Sequence, residues 1–394
     1  MNAQKATDSL KALLEDVLLQ GHPLDKVLQR LLPTLPAPAR PWLAESGQHL
    51  VRFGRRYAFL AGVGWPLRHK GEIPLLLSAW QRLERPAQAL ELPRLRGVDW
   101  PARLREAKAD GAVWHSFPQW LDERAQAELG DGWPPLRAAL NRPPAQYLRA
   151  NTLVTDAKSL HHALHHEKVP TRLEGEALKV QGHRALFKTK AFHQGAFEQQ
   201  DLGSQQVAPF LEVTPGMTVI DACAGAGGKT LHLAALMANR GRLLAMDIFE
   251  GKLKALKKRA RRAGIHNLES RHIEGSATIK RLKGKADRLL LDVPCSGTGV
   301  LRRNPDGKWQ LQAADLDQLL ATQAEILDSY ARMLKAGGKL VYATCSILPS
   351  ENEAQVAAFL ARHPGRFLLE AERRLQPDQY DGDGFYMARL VKID

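Results

Sequence analysis

The chain has 394 residues, with 56 Lys plus Arg against 42 Asp plus Glu, a formal net charge of +14 and a pI near 9.8. That length supports two or three domains, and the basic excess favours a polyanionic partner such as RNA, DNA or an anionic membrane. The three cysteines, Cys223, Cys295 and Cys345, form no CxxC pair and no even framework, which excludes a zinc ribbon and a disulfide scaffold and fits a reducing cytosolic setting.

At the N-terminus Lys5, Asp8, Lys11, Glu15 and Asp16 interrupt the apolar positions, so a signal peptide or membrane anchor is not expected. Leu10, Leu13, Leu14, Val17 and Leu18 fall at helical spacing, which predicts a helix after a Thr7-Asp8 cap with a stop at Gly21. LDKVLQRLL predicts a second short helix, and the proline-rich stretch from Pro33 to Pro41 forces a connection. WLAESGQHLVRFGRRYAFLAGV and IPLLLSAWQRLE add further helices. Residues 1–100 thus read as an all-helical domain, whose arginines Arg52, Arg55 and Arg56 are taken as exposed, on a solvated face or against RNA.

Residues 101–196 read as a small α/β module. HSFPQWLDERAQAEL is a helix, the second half of NRPPAQYLRANTL alternates like a strand, a helix runs from Thr155 to Glu167, and EALKVQG is strand-like. His161, His162, His165 and His166 make two i,i+4 pairs, but without carboxylates or cysteines beside them they read as a polar helix face, and no metal is expected.

From 197 to 394 the strands become continuous apolar runs, TVIDACAG, RLLAMDI, ADRLLLDVP and KLVYATCS, alternating with helical segments such as LHLAALMA and DLDQLLATQAEILDSYARML. Such runs suit a parallel sheet covered on both faces, which predicts a doubly wound α/β domain with ligands at the carboxyl ends of the strands. In TVIDACAGAGGKT a glycine turn follows a strand and opens a helix, letting backbone approach a ligand at Gly225, Gly227 and Gly228. It is neither GxGxxG nor a P-loop, since Cys223 stands where the first P-loop glycine would be. Asp247, ending the next strand, is placed to take both ribose hydroxyls, an arrangement shared by dinucleotide and S-adenosylmethionine domains; it could also cap the following helix.

Asp292 ends ADRLLLD and is followed directly by Val293, Pro294 and Cys295, while Cys345 ends VYATC and is followed by Ser346. An acid at that point can hydrogen-bond a base edge. A lone cysteine is more often a small buried hydrophobe, but two at adjacent strand ends beside Asp292 and the basic Lys229 point to covalent chemistry.

DACAGAGGKT, the strand-end Asp247, DVPCSGTGVLRRNPDGKW, LKAGGKLVYATCS and Glu351 to Glu353, with SFPQWL, LRANTL, QDLGSQQ and GFYMARL in order, resemble the RNA cytosine-C5 methyltransferases of the NOP/Sun (Fmu/RsmB-like) family. The resemblance runs from about His115 to the C-terminus; residues 1–100 are similar in kind to the NusB-like helical region that precedes the core in members acting on small-subunit ribosomal RNA. It implies a Rossmann-like S-adenosylmethionine-dependent methyltransferase domain over 197–394. It implies that Cys345 is the nucleophile that adds to cytosine C6, that Cys295 assists breakdown of the adduct, that Asp292 steadies the protonated N3 side of the ring, and that Lys229 lies in the catalytic centre. Cys223, Ala224, Gly225, Ala226, Gly227, Gly228 and Lys229, with Asp247, Asp292 and Ser276 at the adenine side, are implied to hold S-adenosyl-L-methionine. Arg302, Arg303 and Asp306 match family residues that line the site and are implied to contact RNA. The sequence departs from the family at Ala226, where a proline is usual, and at Glu274 to Ser276, where an Asp is usual.

The expected protein is therefore a cytoplasmic, monomeric ribosomal RNA cytosine-C5 methyltransferase. A transfer RNA methyltransferase and a non-catalytic RNA-binding assembly factor are the alternatives. A DNA cytosine-C5 enzyme would leave Cys345 without a task, and a nicotinamide dehydrogenase lacks its glycine spacing.

Overall fold

The computed structural model describes residues 3–86, 91–182 and 185–393. The chain divides into two compact units, 1–142 with 301–315, and 143–300 with 316–394.

The first unit is helical. Its first helix, Ala3–Leu14, continues in a π-helical turn, Glu15–Leu19, and Gly21 follows with φ +70°. The start differs from the expected Thr7-Asp8 cap, because Ala6 is already buried and extends the apolar stripe of Leu10 and Leu13 backwards by a turn. Leu24–Leu31, Arg40–Leu60 and Ile73–Glu84 follow where periodicity predicts them. Arg40–Leu60 breaks at Phe53, whose φ and ψ are −113° and 20°; beside it Gly54 leaves room for Trp65, whose ring would lie 2.6 Å from an added Cβ. Leu10, Leu13, Leu43, Leu50 and Leu76 form the centre of this core.

The arginines taken as exposed are not. Arg52 and Arg56 are buried, donating to Arg302 O at 2.7 Å and Trp114 O at 2.6 Å, and the half-buried Arg55 donates to Phe117 O and to Gln119 Oε1. Residues 101–142, assigned from sequence to the α/β module, pack in this unit as the helices Trp100–Ala109, Gly111–Trp114, Gln119–Leu129 and Trp133–Ala139. The segment 301–315 joins them through three long-range bonds: Leu24 N to Asp306 Oδ2 at 3.0 Å, Lys308 Nζ to Arg52 O at 2.8 Å, and Trp309 Nε1 to Val51 O at 2.7 Å.

The second unit carries two sheets. The smaller holds β1 (Tyr147–Ala150), β2 (Thr171–Glu174), β3 (Ala177–Val180) and β4 (Phe197–Gln199), antiparallel in the order β2-β3-β1-β4. The helix Ala157–His166 covers it, and His161 Nδ1 lies 2.8 Å from Thr171 Oγ1. The larger sheet holds β5 (Thr218–Asp221), β6 (Arg242–Asp247), β7 (Leu268–His272), β8 (Ala286–Asp292), β9 (Leu334–Thr344), β10 (Phe367–Leu375) and β11 (Phe385–Lys392), in the order β10-β11-β9-β8-β5-β6-β7. β5 to β9 run parallel, whereas β11 and β10 add an antiparallel hairpin at one edge.

The basic helix Glu250–Arg262, read from sequence as a solvated face, is amphipathic in a second sense. Arg259 and Arg262 both pair with the buried Glu198 of β4, Arg259 at 2.8 Å, and so fasten the small sheet to the large one. Asn151 adds bonds of 2.9 Å to Gly195 O and Ala263 O. Lys254, Lys257, Lys258 and Arg261 stay exposed.

Candidate active site

The strand order reverses around β5, so a crevice opens where β5, β6, β8 and β9 end. After β5 the chain turns through Cys223 to Gly228 and enters the helix Gly228–Leu236. Gly225 and Gly227 have φ of +53° and +91°, and a Cβ on Gly227 would come within 2.6 Å of Leu256 Cγ, so the turn needs glycine there for two reasons. Ala224 N donates to Met246 O at 2.9 Å and Ala226 O accepts from Arg259, which fixes the loop from both sides. Asp247 closes it, Oδ2 accepting from Gly225 N and Oδ1 from Phe249 N, each at 2.8 Å. Each oxygen retains a second lone pair for a ribose hydroxyl.

This turn borders a cavity of about 440 Å³ lined by Cys223, Gly225, Asp247, Ile248, Phe249, Lys252, Ile273, Asp292 and Pro294, among others. Ile248 and Phe249 are 57% and 54% exposed, large apolar side chains facing an opening, and Lys252 Nζ sits 4.4 Å from the Phe249 ring centroid. An apolar wall opposite a carboxylate and an open glycine turn fits S-adenosylmethionine: a planar base, a diol and a backbone-hugging chain. Sequence reasoning missed Ile248, Phe249 and Ile273, although their position just after strand ends was a usable signal, and Tyr330, which ends the helix Ala313–Tyr330. Ser276, expected at the adenine side, stands exposed at the start of the helix Ser276–Lys280 and does not line the cavity.

β8 and β9 pair in register, Asp292 opposite Ala343, which sets their following loops side by side. The result is a distance of 3.4 Å between Cys295 Sγ and Cys345 Sγ, both free thiols. The hydrogen bond to Cys345, then burial, push the Cys295 thiol well up, so it keeps its proton. Burial likewise raises the Cys223 thiol, with Asp221, Asp292 and Asp247 adding to the effect. Lys229 Nζ lies 2.7 Å from Asp292 Oδ2 and 5.1 Å from the Phe385 ring centroid. Burial pulls the ammonium down, but Asp292 and the smaller influence of Cys345 and Asp221 outweigh it, and its pKa rises. Beneath this pair Asp221, 1% exposed, accepts from Thr230 Oγ1 at 2.7 Å through Oδ2 while Oδ1 has no partner.

The two cysteine loops share one buried acid. Glu351, fully buried, accepts from Ser296 N at 2.8 Å, Ser296 Oγ at 2.5 Å, Gln323 Nε2 at 2.9 Å and Ser346 Oγ. Asn352 Nδ2 donates to Ser346 O at 3.0 Å, and Thr298 Oγ1 lies 3.1 Å from Ser346 Oγ. In the sequence Glu351 to Glu353 was legible only as a matching stretch. Cys345, Cys295, Asp292 and Lys229 thus converge with Cys223, Gly225 and Asp247. Arg302 and Asp306 are buried in the helical unit and Arg303 is half-buried there.

Residues 208–391 match the family model described as 16S rRNA methyltransferase RsmB/F, and residues 117–184 match the RsmF/B-like ferredoxin-like domain. The chain is 36% identical over 326 residues to ribosomal RNA small subunit methyltransferase B of Serratia proteamaculans, covering 78% of this chain and 76% of that one. Against the protein of that name from Pectobacterium atrosepticum it is 32% identical over 411 residues, covering 100% of this chain and 93% of that one. Among solved structures, that of PH0851 superposes with a TM-score of 0.81 at 24% identity over 98% of both chains, and NSun6 from Pyrococcus horikoshii, solved with SFG, gives 0.65 at 22% identity over 71% of this chain and 99% of that one; both likenesses are of fold. With relatives above 30% identity matched over more than two thirds of their length, the chain belongs to the RsmB/F family of 16S rRNA methyltransferases, within the NOP/Sun RNA cytosine-C5 methyltransferases.

Proposed function

We propose that this chain methylates C5 of one cytosine in small-subunit ribosomal RNA through a covalent adduct on Cys345. The observation that carries the reading is the pair of thiols 3.4 Å apart beside the Lys229–Asp292 ion pair, next to a cavity that suits S-adenosyl-L-methionine. Cytosine C5 is a poor nucleophile, and addition of a thiolate to C6 turns the ring into an enamine whose C5 can attack an electrophile. Cys345 supplies that thiolate, in the crevice that also holds the Lys229 ammonium. Asp292, held by Lys229, receives the N3 and N4 edge of the ring and stabilises its protonated form. The bound cofactor supplies a methyl group on a sulfonium, which Asp247 and the glycine turn hold at the crevice. The C5 proton then leaves to water, its electron pair re-forms the C5–C6 double bond as the C6–S bond breaks, and Cys295, kept protonated, donates a hydrogen bond to the departing Cys345 thiolate. The target base must leave its stack to reach these groups, which favours a loop or single-stranded site.

Within this reading, residues 1–100 act as an RNA-binding helical domain with 101–142 and 301–315 packed in the same unit, 143–196 as a linking and RNA-binding module, and 197–394, apart from 301–315, as the methyltransferase domain. Arg303 is the member of the Arg302, Arg303 and Asp306 trio that reaches RNA; the buried Arg302 and Asp306 anchor the segment to the helices. The protein works as a monomer in the cytoplasm, a setting that suits its three free thiols.

Bisulfite sequencing of ribosomal and transfer RNA from cells lacking the gene tests the function. One cytosine of small-subunit RNA loses its methyl group and regains it when the chain is restored. A loss confined to transfer RNA would replace the substrate, and no loss anywhere would refute the activity.

A further inference from the structure

Two stretches singled out in the sequence, SFPQWL at 116–121 and RRNPDGKW at 302–309, belong to the helical unit and not to the unit that carries the catalytic crevice. They meet around a cavity of about 680 Å³, inside the roughly 300–1,000 Å³ usual for ligand sites. Trp65, Trp120 and Trp309 line it together with Phe59, Arg55 and Lys308, and Asp110 is the acid among the described residues that line it.

Two of the three indoles are fixed in place. Trp309 Nε1 donates to Val51 O at 2.7 Å, and Trp65 sits against Gly54, where an added Cβ would lie 2.6 Å from its ring. Their centroids are 4.6 Å apart with the planes tilted by 59°, so neither ring lies flat on the other. Trp120, the second residue of the helix Gln119–Leu129, is half-buried, and among the described residues neither its Nε1 nor that of Trp65 has an acceptor.

Lys308 sets the charge of the cavity. It is 1% exposed and its ammonium makes one hydrogen bond, to Arg52 O at 2.8 Å, while the rings of Phe117 and Trp309 have their centroids 4.6 and 4.9 Å from Nζ. Burial, then Arg52 and Arg56, pull its pKa well down. A buried cation with two donors left over is costly by itself and is relieved by a ligand oxygen. Asp110 does not meet that demand: it caps the helix Gly111–Trp114, accepting from Val113 N at 3.0 Å, and its charge acts on Arg55. Flat aromatic walls, two indole donors and a buried cation suit a planar group that carries acceptor oxygens, which is what a nucleobase offers. S-adenosylmethionine suits this cavity poorly, because its cationic sulfonium would meet the Lys308 ammonium. A net charge of +14 favours an RNA base over a basic or neutral peptide.

We propose that this cavity takes an unpaired base of the substrate RNA, stacked among Trp65, Trp120 and Trp309 with an acceptor oxygen toward Lys308. The inference rests on the reading that the substrate is RNA. It goes beyond that reading by giving the helical unit a base-holding site of its own.

The test uses the full chain, a small-subunit ribosomal RNA transcript and filter binding across a salt series, with melting temperature and S-adenosylmethionine affinity measured on every variant. Trp120→Ala should bind the transcript about tenfold more weakly, whereas Trp120→Phe, which keeps an aromatic face, should stay within threefold of the wild type. The slope of log affinity against log salt should be the same in all three, because stacking releases no counterions. Lys308→Met should weaken binding fivefold or more at an unchanged or higher melting temperature, since it removes a buried charge. S-adenosylmethionine affinity should not move in any of them. Wild-type affinity for RNA in either Trp120→Ala or Lys308→Met would overturn the proposal, and so would an equal loss in Trp120→Phe and Trp120→Ala. Normal transcript binding combined with weaker binding to intact small subunits would assign the cavity to a protein partner and overturn it as well. Methylation of the same transcript by the wild type is measured alongside; its absence would count against the proposed function, while the binding contrasts would still decide the cavity.

Discussion

Cys295 Sγ and Cys345 Sγ lie 3.4 Å apart, within hydrogen-bond reach for sulfur and well beyond the roughly 2 Å of a disulfide. In the proposed mechanism this contact divides labour between the two thiols. The hydrogen bond to Cys345 and burial push the Cys295 thiol up, so it stays protonated, and Cys345 is the sulfur proposed to attack.

That division gives opposite failures. Cys345→Ala should form no covalent complex with RNA and lose methylation by a factor of about 10³ or more. Cys295→Ala should instead accumulate enzyme bound to methylated RNA, visible as a slow band on a denaturing gel with labelled RNA. A trapped complex in Cys345→Ala would reverse the assignment.

Glu351 is the common support of both cysteine loops. Removing it in Glu351→Ala leaves Ser296 N without its acceptor and takes one bond each from the Ser296 and Ser346 hydroxyls and the Gln323 amide, which keep Thr298 and Pro294 O as partners, at about 1–3 kcal/mol for a group that finds no water. The expected outcome is a stability loss of roughly 3 kcal/mol in urea unfolding, with kcat down about a hundredfold and S-adenosylmethionine affinity unchanged. Glu351→Gln should recover part of both. Full activity in the alanine variant would show that the loops hold themselves.

Asp221 should give the fold a pH signature. Burial pushes its carboxyl up to about 7, with Asp292 adding to the shift and Lys229 and the Thr230 hydrogen bond opposing it. In the unfolded chain it titrates near 3.9. Between those values the folded protein holds a proton that the unfolded chain has lost, so this stabilisation is complete below about pH 4 and is lost as pH rises through about 7. Asp221→Asn should therefore gain on the wild type between pH 4.5 and 8, by on the order of 2–4 kcal/mol in paired urea titrations. A constant difference across that window would contradict the raised pKa.

Phe249 supplies apolar area where the cofactor's base is expected. Phe249→Ala should weaken S-adenosylmethionine about tenfold in calorimetry, from the area it no longer covers, and leave RNA affinity unchanged. Unchanged cofactor affinity would move the base elsewhere in the cavity.

Much of the catalytic crevice was readable from local sequence. Apolar runs ending in Asp221, Asp247, Asp292 and Thr344 identify buried parallel strands, because a strand covered on both faces must be apolar throughout and can afford polar groups only where it ends. Backbone direction then carries those ends to one edge, which is why Lys229, Asp247, Asp292, Cys295 and Cys345 could be gathered without a structure. The short strands β2 and β4 were not legible, since three or four residues carry too little periodicity to separate a strand from a loop, and neither was the edge strand β10, which is largely exposed; the strand character of ARLVKID, which overlaps β11, was.

Charge was read least well. The sequence by itself determined how many basic residues there are and that their partner is anionic. Only the tertiary structure decided which of them are available: Arg52, Arg56 and Arg302 are buried among helices, Arg259 and Arg262 are spent on Glu198, and Lys254, Lys257, Lys258 and Arg261 stay exposed. The same holds for Glu351, an ordinary surface acid by its neighbours in the chain and the fully buried link between two thiol loops in the fold. Periodicity and strand-end chemistry are set within a few residues, whereas burial and ion pairing depend on partners dozens to hundreds of residues away, and those are chosen only when the chain packs.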